Sequence, residues 1–139
     1  MPIIIIDIME ETEIDKFEKN QNQLDGLHEE ISALSKKSYT DAINLFKLKL
    51  VNQVIQGANQ ILGGTYKPFQ DFDSFSEEDL PTNSDVTLVL SQYLNCMESY
   101  RVKRINSQIE WTSTGSVAKI YWFWEGTKKE TYPPKNIKR

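Results

Sequence analysis

The sequence predicts an α+β fold: apolar residues recur at helical spacing through most of the chain, and a final segment rich in Trp, Tyr, Phe, Ile and Val alternates with period two. A chain of 139 residues can bury a useful core as one domain, so stability requires neither a metal nor disulfides. The expected organisation is a globular domain over residues 1–126 followed by a basic tail, 127–139.

The first helix is predicted over about 10–36. Ile14, Phe17, Leu24, Leu27, Ile31 and Leu34 are separated by threes, fours or their multiples, with charged and polar residues between them. Gly26, in a stretch already weakened by Asn20–Gln23, is expected to bend or break it, since glycine costs about 1 kcal/mol in a helix interior. A stripe this narrow suits a neighbouring helix, and it also suits a coiled-coil seam, so self-association through helix 10–36 is a second expectation.

The second helix is predicted over about 39–62, capped by Ser, Thr or Asp in Ser38–Asp41 and stopped at Gly63-Gly64. Its apolar residues lie on more than one face, which predicts the central, most buried helix. A third helix, about 84–106, is announced by Pro81 and a cap at Thr82, Asn83 or Ser84, with Val86, Leu90, Tyr93 and Met97 along it.

Between the second and third helices runs TYKPFQDFDSFSEEDLP, a connection long enough to need its own anchoring. Phe69, Phe72 and Phe75 are expected to pin it across the helix ends while Asp71, Asp73, Glu77, Glu78 and Asp79 stay in water. Asp71-x-Asp73 opens like a calcium loop, but no glycine follows at the sharp turn and the closing glutamate is misplaced.

A β-hairpin is predicted over about 108–125, turning at Ser113–Ser116. Alternation along its second strand sets Ala118, Ile120, Trp122 and Trp124 on one side, read as inward, and Lys119, Tyr121, Phe123 and Glu125 on the other, read as wetter. Two strands alone are marginal, and IIIIDI, residues 3–8, is the candidate third strand of a small antiparallel sheet.

Charge is unevenly spread. Residues 1–100 carry 7 basic and 17 acidic side chains, and residues 101–139 carry 9 and 3, against a net charge of −4. The acidic body argues against a dedicated duplex binder, while the basic end can serve an anionic partner or an acidic protein surface.

The inventory for chemistry is thin. His28 is the only histidine and Cys96 the only cysteine. HExxH is therefore excluded, Gly63-Gly64 opens no phosphate-binding loop, and Gly115-Ser116 lacks the pattern of a nucleophile elbow. No catalytic residue, metal ligand or cofactor is assigned. A lone cysteine, no glycosylation acceptor, and an N-terminus that turns acidic after four isoleucines predict a cytoplasmic protein with no membrane span. The reading that remains is a small non-enzymatic protein-binding module, an adaptor, inhibitor, immunity or regulatory partner. Its predicted partner-binding residues are Tyr121 and Phe123 with Lys119, Lys128 and Lys129. The alternative is a single-stranded nucleic-acid binder that stacks bases on the same rings and lays the backbone along the basic tail.

Overall fold

The computed structural model describes residues 9–135. Three helices, α1 (Glu11–Ser38), α2 (Leu45–Tyr66) and α3 (Asn83–Val102), precede strands β1 (Ile105–Trp111), β2 (Val117–Trp124) and β3 (Glu130–Thr131). The strands form one antiparallel sheet in the order β1-β2-β3, so the fold is α+β as expected. The candidate strand 3–8 lies outside the described residues, and the third strand of the described sheet is β3. Two compact units divide the described chain, residues 17–97 and residues 9–16 with 98–135.

In the helical unit the stripes read from the sequence are buried: Phe17, Leu24 and Ile31 of α1, Leu48, Val51, Ile55 and Leu62 of α2, and Val86, Leu90, Tyr93 and Met97 of α3. The apolar positions that suggested a coiled-coil seam on α1 are thus largely covered within one chain. The expected break at Gly26 is absent, because α1 is continuous for 28 residues. Leu24 and Ile31 flank the glycine at 0% exposure, and burying two such side chains contributes roughly 3–6 kcal/mol, more than the glycine costs.

The start of α2 differs from the expectation. Residues 39–41 form a turn and 42–44 lie outside any helix, with a bridge between Ala42 and Thr82 and the Ile43 N–H donating to the Pro81 carbonyl. The cap is Asn44, whose side chain accepts from the Lys47 N–H. Ser38–Asp41 offered cap chemistry, but Ile43 is 1% exposed, and its burial in this connection postpones the helix. The stop is where glycine was read: Gly63 has φ 65° and ψ −177°, a conformation disfavoured for side chains with a Cβ. Nor is α2 buried all round, since Leu45, Phe46 and Leu50 on its first turns are exposed.

Close helix packing is decided at Gly57. A Cβ there would meet Asn20 Nδ2 at 2.8 Å, and that same nitrogen donates to the Val54 carbonyl at 3.0 Å. The long connection is pinned at both aromatic and polar points. Phe72 meets Phe69 and Phe75 edge-on and lies 6.5 Å from Tyr93, and Asn52 exchanges two hydrogen bonds with the backbone of Phe75. Asp73 is held by Lys67.

Tyr93 donates its hydroxyl to Asn59 Oδ1 at 2.6 Å. Burial pushes its pKa up to about 12, with the nearby Asp73 charge adding to the rise and the Asn59 hydrogen bond opposing it. A folded pKa above the unfolded value means that the stabilisation is complete below about pH 10 and is lost as pH climbs toward 12. Stability is therefore expected to fall by up to about 1.4 kcal/mol per pH unit across that window. Denaturant titrations at pH 9 to 11.5 should show this component for the wild type and not for Tyr93→Phe.

Between α3 and β1 the chain turns at once. The helix ends four residues earlier than the apolar pattern suggested, and the Glu125 N–H donates to the Arg104 carbonyl at 2.8 Å. Strand pairing therefore captures residues 105 and 106, which the helical reading had claimed. Among the described residues no helix is long and apolar enough to cross a membrane.

Candidate functional site

The sheet unit builds two side-chain faces from one hairpin. Ile105 pairs with Trp124, Ser107 with Trp122, and Ile109 with Ile120, while Asn106, Gln108 and Glu110 pair with Phe123, Tyr121 and Lys119 on the opposite side. Past Glu110 the register shifts, so that Trp111 faces Val117 and Ala118 is left over as a bulge. The loop closes through Thr112, whose N–H donates to the Ser116 carbonyl at 2.8 Å.

Burial is graded along the hairpin rather than divided by face. Trp124 is 1% exposed, Trp122 half-buried, and Ile120 51% exposed. The inward side expected for Ala118, Ile120, Trp122 and Trp124 is therefore inward only at its base. Ala118 and Ile120 are corrected to exposed positions, because the turn end of a two-stranded hairpin reaches past anything that covers it. Ile109, Trp111 and Val117 are exposed with them, at 42%, 60% and 49%.

On the other face three of the predicted binding residues come together. Tyr121 and Phe123 stack with ring centroids 6.3 Å apart, and Lys119 Nζ lies 4.4 Å from the centre of the Tyr121 ring. The Tyr121 hydroxyl donates to Glu110 Oε2 at 2.8 Å. That bond raises the phenol's pKa, with burial and the Glu110 charge adding to it, so Tyr121 is a neutral donor at physiological pH. The cross-strand bond to Glu110 orients the Tyr121 ring, and Phe123 stacks on it from the same strand, before any partner arrives. Shallow concavities border the pair, one lined by Gln108, Glu110, Tyr121 and Glu130, another running from Phe123 to Lys128.

The two remaining predicted residues sit on the turn between β2 and β3. Lys128 is exposed, and Lys129 is engaged by Asp15 while its carbonyl accepts the Trp124 N–H. Part of the basic charge counted after residue 100 is similarly committed. Arg101 is 1% exposed and grips Glu98 through Nε and Nη2 at 2.8 and 2.7 Å. Its other donors hold the Thr131 hydroxyl and the carbonyls of Tyr132 and Pro133, at 2.9, 2.7 and 3.0 Å. All of the guanidinium's N–H donors are thereby used, and the Lys135 N–H closes the arrangement on Glu98 Oε2 at 2.7 Å. Sequence reading had treated Arg101 as tail charge. The available signal was its position, four residues beyond Met97 on the buried stripe of α3.

His28 and Cys96 lie on α1 and α3, and burial pushes the Cys96 thiol up, which disfavours the thiolate a nucleophile needs. Among the described residues no group of three or more His, Cys, Asp or Glu side chains is arranged to hold a metal ion. Comparison with protein-family models, with curated proteins and with solved structures finds no match to this chain.

Proposed function

We propose that this chain is a small cytoplasmic protein-binding module, an adaptor, inhibitor, immunity or regulatory partner, which engages another protein through the Tyr121–Phe123 face of its C-terminal hairpin. The observation that carries this reading is the pre-stacked, half-exposed ring pair bordered by Lys119, Glu110 and Gln108. Aromatic side chains with a polar handle are enriched where partners bind, and rings already fixed lose little conformational freedom on association. Lys128 lies along the same groove as Phe123 and supplies a cation at its rim. The single-strand nucleic-acid reading uses the same rings, but it is weakened by the commitment of Arg101 to Glu98 and of Lys129 to Asp15, since such binders need an open track of cations.

The test is a double substitution, Tyr121→Ala with Phe123→Ala, titrated against the partner recovered from the native host. Affinity is expected to fall at least about tenfold, or about 1.4 kcal/mol, with the melting temperature within a few degrees of wild type. Unaltered affinity would remove this face from the interface. Tight binding of a fluorescent oligothymidylate, lost in the same variant, would transfer the face to nucleic acid.

A further inference from the structure

We infer that the outer edge of β1 is a self-recognition surface, on which a second copy of this chain adds its own β1 in antiparallel register to make one continuous six-stranded sheet.

The backbone supplies the first part of the argument. The Glu125 N–H donates to the Arg104 carbonyl, so Arg104 directs its carbonyl toward β2. Strand geometry then sends the backbone polar groups of Asn106, Gln108 and Glu110 the same way and those of Ser107, Ile109 and Trp111 to the open side. Residues 106–111 are all exposed. Among the described residues no strand pairs with this side, so water or another extended strand is left to satisfy these groups. Natural edge strands are usually guarded by lysine, proline or an edge bulge. INSQIEW contains neither residue, and the bulged Ala118 lies on β2.

The side chains decide which strand fits. A two-fold axis through Ile109 sets Ile109 against Ile109 of the second copy, Ser107 against Trp111, and Gln108 against Glu110. On the apolar face this register makes one row from Ile120 and Ile109 through the second copy's Ile109 and Ile120. In the flanking rows the small Ser107 lies between its own partner Trp122 and the incoming Trp111, which leaves room for a large ring on each side. On the opposite face Gln108 can donate to Glu110 of the second copy, and no like charges meet. The three outward residues of each strand exchange hydrogen bonds in pairs, so backbone direction, apolar matching and charge agree on one register. An unrelated strand has no reason to satisfy all three at once. The exposed Ile109, Trp111 and Ile120 are covered in the same step, and the Tyr121–Phe123 face stays open on both copies for a different partner.

Sedimentation and light scattering of the full chain at about 100 μM should give a dimer, and Ile109→Lys should give a monomer. That substitution sets two ammonium groups against each other on the axis while changing an exposed side chain, so its melting temperature should match that of wild-type monomer at high dilution. Ser107→Pro, which removes an outward N–H and leaves the β2 ladder intact, should weaken the dimer at least about tenfold. In a Cys96→Ala background Ile109→Cys should oxidise to a disulfide-linked dimer, because hydrogen-bonded antiparallel partners hold Cα atoms about 5.5 Å apart, within disulfide range. A wild-type monomer at 100 μM overturns the inference. So does a dimer that survives both edge substitutions, or one lost only when Leu27 on α1 is made polar.

Discussion

Trp124→Ala is expected to cost about 3 to 5 kcal/mol, a large share of a small domain's stability. The ring is among the largest fully buried side chains, and its residue's backbone also fixes the turn into β3, accepting from the Thr127 N–H and hydroxyl and donating to the Lys129 carbonyl. Truncation leaves a cavity at the one end of the hairpin that is anchored. Urea unfolding of Trp124→Ala beside Trp122→Ala measures the contrast, because Trp122 is only half-buried and should cost distinctly less. Equal losses at the two positions would show that burial does not grade along β2 as described.

Arg101→Ala is expected to cost a comparable 3 to 5 kcal/mol, for a different reason. Glu98 is 4% exposed, so the substitution removes the guanidinium that balances a buried carboxylate. It also leaves the Thr131 hydroxyl and the carbonyls of Tyr132 and Pro133 without their donor. The local consequence is release of residues 131–135, read as faster amide exchange at Lys135, whose N–H is held by Glu98. Replacing both partners, Glu98→Leu with Arg101→Met, should recover much of the stability because no charge remains buried, yet leave the Lys135 amide fast. Slow exchange at Lys135 in the double variant would mean that something other than this ion pair holds the segment.

These expectations bear on how the basic end of the chain acts. Read as a string, residues 101–139 are a cationic tail. In the fold, Arg101 organises the strap that follows β3 and Lys129 is tied to Asp15, so less of that charge can meet a partner than the count implies.

Residue spacing alone determined the helices and their buried faces: Phe17, Leu24 and Ile31, or Val86, Leu90, Tyr93 and Met97, repeat as a helix turns, and local periodicity needs no knowledge of neighbours. It also determined the hairpin, its turn around Gly115, and the side shared by Lys119, Tyr121 and Phe123, because alternation in a strand is equally local. Tertiary structure decided the rest. Whether Gly26 interrupts α1, whether α2 starts at residue 39 or 45, and where α3 yields to β1 each depended on burial or strand pairing outweighing a local preference of about 1 kcal/mol. The same holds for the hairpin's outer half. Alternation says that Ile120 and Trp124 share a face, but only the fold says that one is 51% and the other 1% exposed, because burial depends on what lies opposite a face, and that is supplied by residues distant in the chain.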